Sequence, residues 1–81
     1  MNEEPLREWI REKLRAGSLP RTPSDKIWGG PGSGRVCAAC NQPIAPTSSE
    51  IEDRDENDQP LVFHARCHSL VSLERDQLQQ A

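Results

Sequence analysis

The chain has 81 residues, 33% of them hydrophobic, only three aromatic side chains (Trp9, Trp28 and Phe63) and a net charge of −3. A chain this short buries proportionally little surface, so a single small domain of this composition needs disulfides, a structural metal or a partner to hold it. Three cysteines are an odd number for a disulfide framework, the charge-alternating start shows no apolar signal region, and no run approaches the roughly 20 apolar residues of a membrane span, so the sequence predicts a cytoplasmic protein with reduced thiols.

The charge is unevenly spread. Residues 1–36 carry seven Lys/Arg against five Asp/Glu, whereas residues 37–81, which hold every cysteine, carry three against eight. A module built to grip phosphates shows the reverse, so nucleic acid is a disfavoured partner for the cysteine-bearing half.

Residues 1–17 read as an amphipathic helix, with the helical pattern running over 5–16. Pro5 suits a first turn, Gly17 a terminus, and Leu6, Trp9, Ile10 and Leu14 recur at helical spacing on one face. Glu4, Glu8 and Glu12 each precede an arginine by three positions, which predicts surface ion pairs. A helix of this length is marginal alone, so its stripe docks either on the rest of the chain or on a partner.

Residues 18–35 read as a Gly/Pro-rich linker with little regular structure, pinned at most by Ile27 and Trp28. Its run GGPGSGRV has the glycines of a phosphate loop but not the chemistry: Arg35 and Val36 stand where Lys and Ser/Thr are needed, and a cysteine pair follows instead of a helix.

Residues 36–81 read as a third unit. Two short strands, over 50–54 and 60–64, flank the polar turn DENDQ as a hairpin, Pro60 being suited to the first residue of a strand. A second helix follows over 65–79, with Leu70, Val71, Leu78 and Leu73 on or near one face.

The chemistry concentrates in two matched pairs. Cys37 and Cys40, then His64 and Cys67, have the same two-residue gap, and the 23 residues between them leave room for a hairpin and little else. A tetrahedral zinc ion takes four such ligands, each short gap biting the ion from one turn. His68 is the alternative fourth ligand. It is disfavoured because residues three apart share a helix face better than adjacent ones, and its other roles are a surface position or a hydrogen bond to a ligand sulfur. A redox CxxC opens a helix after a strand, a context that NQPIAP does not supply, and Asn41 after Cys40 excludes covalent haem attachment. Three thiolates and one imidazole close the shell of a zinc ion, so the sequence predicts a structural metal and no enzyme activity.

The segment VCAACNQPI…LVFHARCHSL resembles the first zinc half of a LIM domain. It shares Cys-x-x-Cys, a loop of similar length, the aromatic residue before His-x-x-Cys (Phe63), and an apolar residue soon after the first pair (Ile44). The likeness spans residues 36–67, and no second zinc half follows. It implies a small zinc-stabilised α+β fold of treble-clef type, with zinc knuckle, hairpin and C-terminal helix, and one zinc ion on Cys37, Cys40, His64 and Cys67.

Function is expected to lie in protein interaction, with Leu6, Trp9, Ile10, Leu14 and Trp28 as candidate partner-binding residues. The alternative is nucleic-acid binding or transcriptional regulation through Arg7, Arg11, Lys13, Arg15, Arg21, Lys26 and Arg35, which are interleaved with acids and read as a solvated face. No membrane or small-molecule substrate is expected.

Overall fold

A computed structural model describes residues 3–21 and 26–80. It is a small α+β fold, with two helices and one three-stranded antiparallel sheet. Helix α1 spans Glu4–Ala16. Pro5 lies in its first turn, where a missing N–H costs nothing. Gly17, at φ 82°, takes the left-handed conformation that ends the helix, and its N–H and that of Ser18 bond back to the carbonyls of Leu14 and Lys13. Arg21 adds a second closure, donating to the Leu14 and Arg15 carbonyls. Ile10 and Leu14 are wholly buried, Leu6 packs beside them, and Trp9 stays exposed on the flank.

The segment expected to be a linker is more ordered than its composition suggests. Leu19 and Pro20 are buried directly after α1. Strand β1, Trp28–Pro31, then pairs antiparallel with β2, Ser49–Arg54, and β2 pairs with β3, Pro60–His64. Residues 22–25 lie outside the described residues. Ile27 and Trp28 remain about half exposed, and Trp28 ties the segment to the sheet by pairing with Glu52 and lying against the Arg54 guanidinium. Pro31 is tolerated because β1 is an edge strand. Beyond it, residues 32–36 run back against 43–48 through the bonds Gly32 N–H to Ser48 O, Gly34 N–H to Ile44 O and Ile44 N–H to Arg35 O. Gly32 is required there, because a Cβ would meet the Ala45 carbonyl oxygen at 1.9 Å. Ser33 donates from its hydroxyl to Glu50 at 2.6 Å. That bond, joined by Arg35, holds the Glu50 carboxyl below the usual carboxylate range.

The β2–β3 turn forms as its residues predict. Asp55 Oδ1 accepts the N–H groups of Asn57 and Gln59, and Asp58 takes a positive φ of 63°. Helix α2, Ala65–Gln80, follows β3 without a break. Its inward side differs from expectation. Leu70 and Val71 are buried, but Leu73 and Leu78 are exposed, and Glu74 and Arg75 lie inside. Arg7 and Arg11 of α1 reach across to Glu74 at 2.6 and 2.5 Å, so they are not confined to the surface pairs with Glu4 and Glu8 that their spacing suggests. Burial pushes the Glu74 carboxyl up, but the hydrogen bonds from Arg11 and Arg7 outweigh it and hold it below the usual range. The core lies between the two helices, β3 and the cysteine loop, with Phe63 its largest member.

Candidate metal centre

Cys37 and Cys40 sit on a turn whose closure the backbone shows directly. Val36 pairs with Pro43, Cys37 N–H bonds to Gln42 O, and Asn41 N–H bonds to Cys37 O. Asn41 supplies the positive φ, 61°, that such a turn needs. The Ala38 N–H bonds to the Val62 carbonyl at 2.8 Å and ties this knuckle to β3. His64 is the last residue of β3 and Cys67 lies in the first turn of α2, so the strand-to-helix junction carries the second pair.

The four ligand atoms of Cys37, Cys40, His64 and Cys67 all lie within 4.8 Å of one another, the one such grouping among the described residues. His64 faces the sulfurs through Nδ1, 3.4 Å from Cys40 Sγ and 3.8 Å from Cys67 Sγ. A tetrahedral ion with Zn–S near 2.3 Å and Zn–N near 2.0–2.1 Å places its sulfur and nitrogen ligands about 3.6 Å apart. The four residues can therefore hold one metal ion, and zinc is compatible with their spacing and donor set.

The three thiols differ in how readily they ionise. A hydrogen bond from the Cys67 thiol pushes Cys37 down to about 4, aided by the backbone N–H groups of Cys40, His64 and Ala39. Burial pushes Cys40 up. The Cys67 thiol, which donates that bond to Cys37 and is itself buried, is pushed strongly up. The thiolate is thus favoured at Cys37 over Cys40 and Cys67. A divalent cation takes all three as thiolates and removes the competition.

His68 lies outside this grouping. Its Nε2 is 3.0 Å from Asp53 Oδ2, a carboxylate 2% exposed whose other oxygen accepts the Arg54 N–H, and its ring meets Phe63 edge to face. Its partner is thus neither a metal nor a ligand sulfur. Of the residues read as partner-binding, Ile10 and Leu14 are buried in the chain's own core and Leu6 packs against it. Trp9 and Trp28 present surface.

One residue at the site had no signal in the sequence. Lys13 of α1 donates its ammonium to the carbonyls of Ala38 (2.9 Å) and Ala39 (3.2 Å) and to Asn41 Oδ1 (3.0 Å), above the Trp9 ring at 4.5 Å. Periodicity shows it only as a lysine near a helix end. Compared with protein-family models, with curated proteins and with solved structures, the chain matches none.

Proposed function

We infer that this protein is a zinc-stabilised protein-interaction module, with one structural zinc ion on Cys37, Cys40, His64 and Cys67. The observation that carries the reading is the convergence of four soft and borderline donors within 4.8 Å, at sulfur–nitrogen separations suited to tetrahedral coordination. The order knuckle, hairpin, then a helix whose first turn carries Cys67 is the order expected of a treble clef, and it supports the likeness to one zinc half of a LIM domain. Four protein donors fill a tetrahedral shell, and three thiolates make the ion a poor Lewis acid, so the centre is read as structural and the protein as no enzyme.

The interaction surface is assigned to Trp28 and its neighbour Ile27. They are 51% and 47% exposed, and large apolar side chains held open at the start of an edge strand are suited to anchoring a partner. The nucleic-acid alternative is weakened by the engagement of its cations. Arg7 and Arg11 bind Glu74, Lys13 binds the knuckle, Arg21 closes α1, and Arg35 pairs with Glu50 and Glu52.

Native mass spectrometry tests the metal: one zinc per chain is expected, and a folded protein carrying none would overturn the reading. Titration with nonspecific DNA at low salt tests the alternative. Tight binding that falls steeply as salt is added would favour nucleic acid over a protein partner.

A further inference from the structure

The sheet has one covered edge and one open one. On the outer side of β3 the Val62 carbonyl accepts the Ala38 N–H, whereas all of β1 is exposed and no other strand among the described residues pairs with its outer side. The ladder fixes which groups face outwards. Gly32 N–H bonds to the Ser48 carbonyl, and the pairing alternates back from there, so the main chains of Gly30 and Trp28 face β2 while those of Gly29 and Pro31 face away. Pro31 suits that position, since its missing N–H would have pointed out of the sheet. On the face that carries Trp28, an open recess of about 330 Å³ is lined by Trp28, Gly29, Gly30, Glu50 and Glu52. Gly30 leaves bare backbone there, with nothing within 4 Å of where a Cβ would stand.

We propose that β1 pairs antiparallel with β1 of a second copy of this chain, about a two-fold axis at Gly29, so that each Trp28 fills the recess over the other copy's Gly30. The proposal rests on the interaction reading above and names its partner. A two-fold contact requires one patch to be complementary to itself, and this strand offers both the knob and the hole. With Gly29 opposite Gly29, these residues exchange both of their outward bonds, and Ile27, continuing the strand, donates its N–H to the other copy's Pro31 carbonyl. The main chain loses only the bonds that a proline nitrogen cannot donate. In the same register Trp28 stands opposite the bare Gly30 at the closer, non-hydrogen-bonded spacing, where an aromatic ring covers a glycine. Ile27 meets Pro31 on the opposite face. Glu50 and Glu52 pair with Arg35 within each copy, so the recesses meet without opposing bare carboxylates. The contact is small, and the dimer is therefore weak and concentration-dependent.

The test uses the full zinc-loaded chain, with sedimentation followed from micromolar to near-millimolar concentration. Wild type is expected to pass from monomer to dimer over that range. W28S removes the ring and is expected to raise the dissociation constant about tenfold or more. G29K and G29E probe the axis itself. A side chain fits there, since a Cβ would meet Ile51 Cδ1 at an ordinary 3.6 Å, but each variant sets a charge opposite its own like. Each alone is expected to stay monomeric and their equimolar mixture to dimerise, a rescue that pairing through any other surface would not produce. Circular dichroism confirms that each loaded variant is folded. A mixture that stays monomeric while wild type dimerises, or a W28S that dimerises as wild type does, overturns the proposal. Zinc-loaded wild type that is monomeric throughout also overturns it, but leaves the interaction reading standing, with a strand of another protein as the occupant of the edge. A folded chain that takes up no zinc overturns both.

Discussion

A chelator added to the reduced, zinc-loaded protein is expected to unfold it. The buried core contains eight large apolar side chains: Ile10, Leu14, Leu19, Ile44, Val62, Phe63, Leu70 and Val71. The remaining buried members are Ala39 and two of the four converging residues, Cys37 and Cys67, so the candidate metal site is continuous with the core. Natural domains retain roughly 0.05–0.15 kcal/mol of net stability per residue, or about 4–12 kcal/mol for a chain of this length. Structural zinc in small domains contributes an apparent ~10–16 kcal/mol at neutral pH. The metal's contribution therefore matches or exceeds the whole net stability, and its removal leaves the chain on the unfolded side. Far-UV circular dichroism and thermal scans with and without chelator provide the assay, with a thiol reductant present so that no disulfide replaces the ion. The helical signal and the cooperative melt should vanish together and return with added zinc. A stripped, reduced protein that melts cooperatively within a few degrees of the loaded one would refute the reasoning, since the apolar core would then suffice alone.

Three further outcomes follow from the geometry. H64A should lose a ligand and with it tight metal binding, whereas H68A should keep one metal per chain but lose about 1–3 kcal/mol by leaving the buried Asp53 carboxylate without its partner, as metal titration and urea denaturation would show. Glu74 is held below its ordinary value near 4.5, so its contribution is fully present above that value and is lost as pH falls through the lower folded one. The stability gap between wild type and E74Q should thus be full near neutral pH and shrink in acid; a gap unchanged across that range would contradict it. Zinc binding should release protons, so affinity rises with pH. An unfolded chain with ordinary thiols gives up nearly three, one from each cysteine. Calorimetry in buffers of different ionisation enthalpy should find nearly three, in line with the unfolding expected on chelation.

The elements with local punctuation were readable from sequence. Pro5 and Gly17 bracket α1, the DENDQ turn and Pro60 bracket the hairpin, and paired two-residue gaps mark the four residues that converge. Strand β1 was not readable, because WGGP has neither alternation nor β-branched residues and becomes a strand only by pairing with β2. Local periodicity also misled on α2. It favoured Leu73 and Leu78, but the inward positions belong to Glu74, neutralised by two arginines more than sixty residues away, and to Arg75, which donates to the Pro20 carbonyl. The same blindness to distant partners hid Lys13. A solvated charge and a buried, paired one look alike in a sequence window, and only the fold supplies the difference.

The clasp of Arg7 and Arg11 on Glu74 joins helices from opposite ends of the chain. A proteolytic fragment covering only β1 through the second ligand pair would retain Cys37, Cys40, His64 and Cys67 while losing Ile10, Leu14, Leu70 and Val71 from the space above them. Such a fragment would have its ligands but not the walls that hold them in place. Trimming either helix therefore weakens the middle of the molecule, and neither is an appendage.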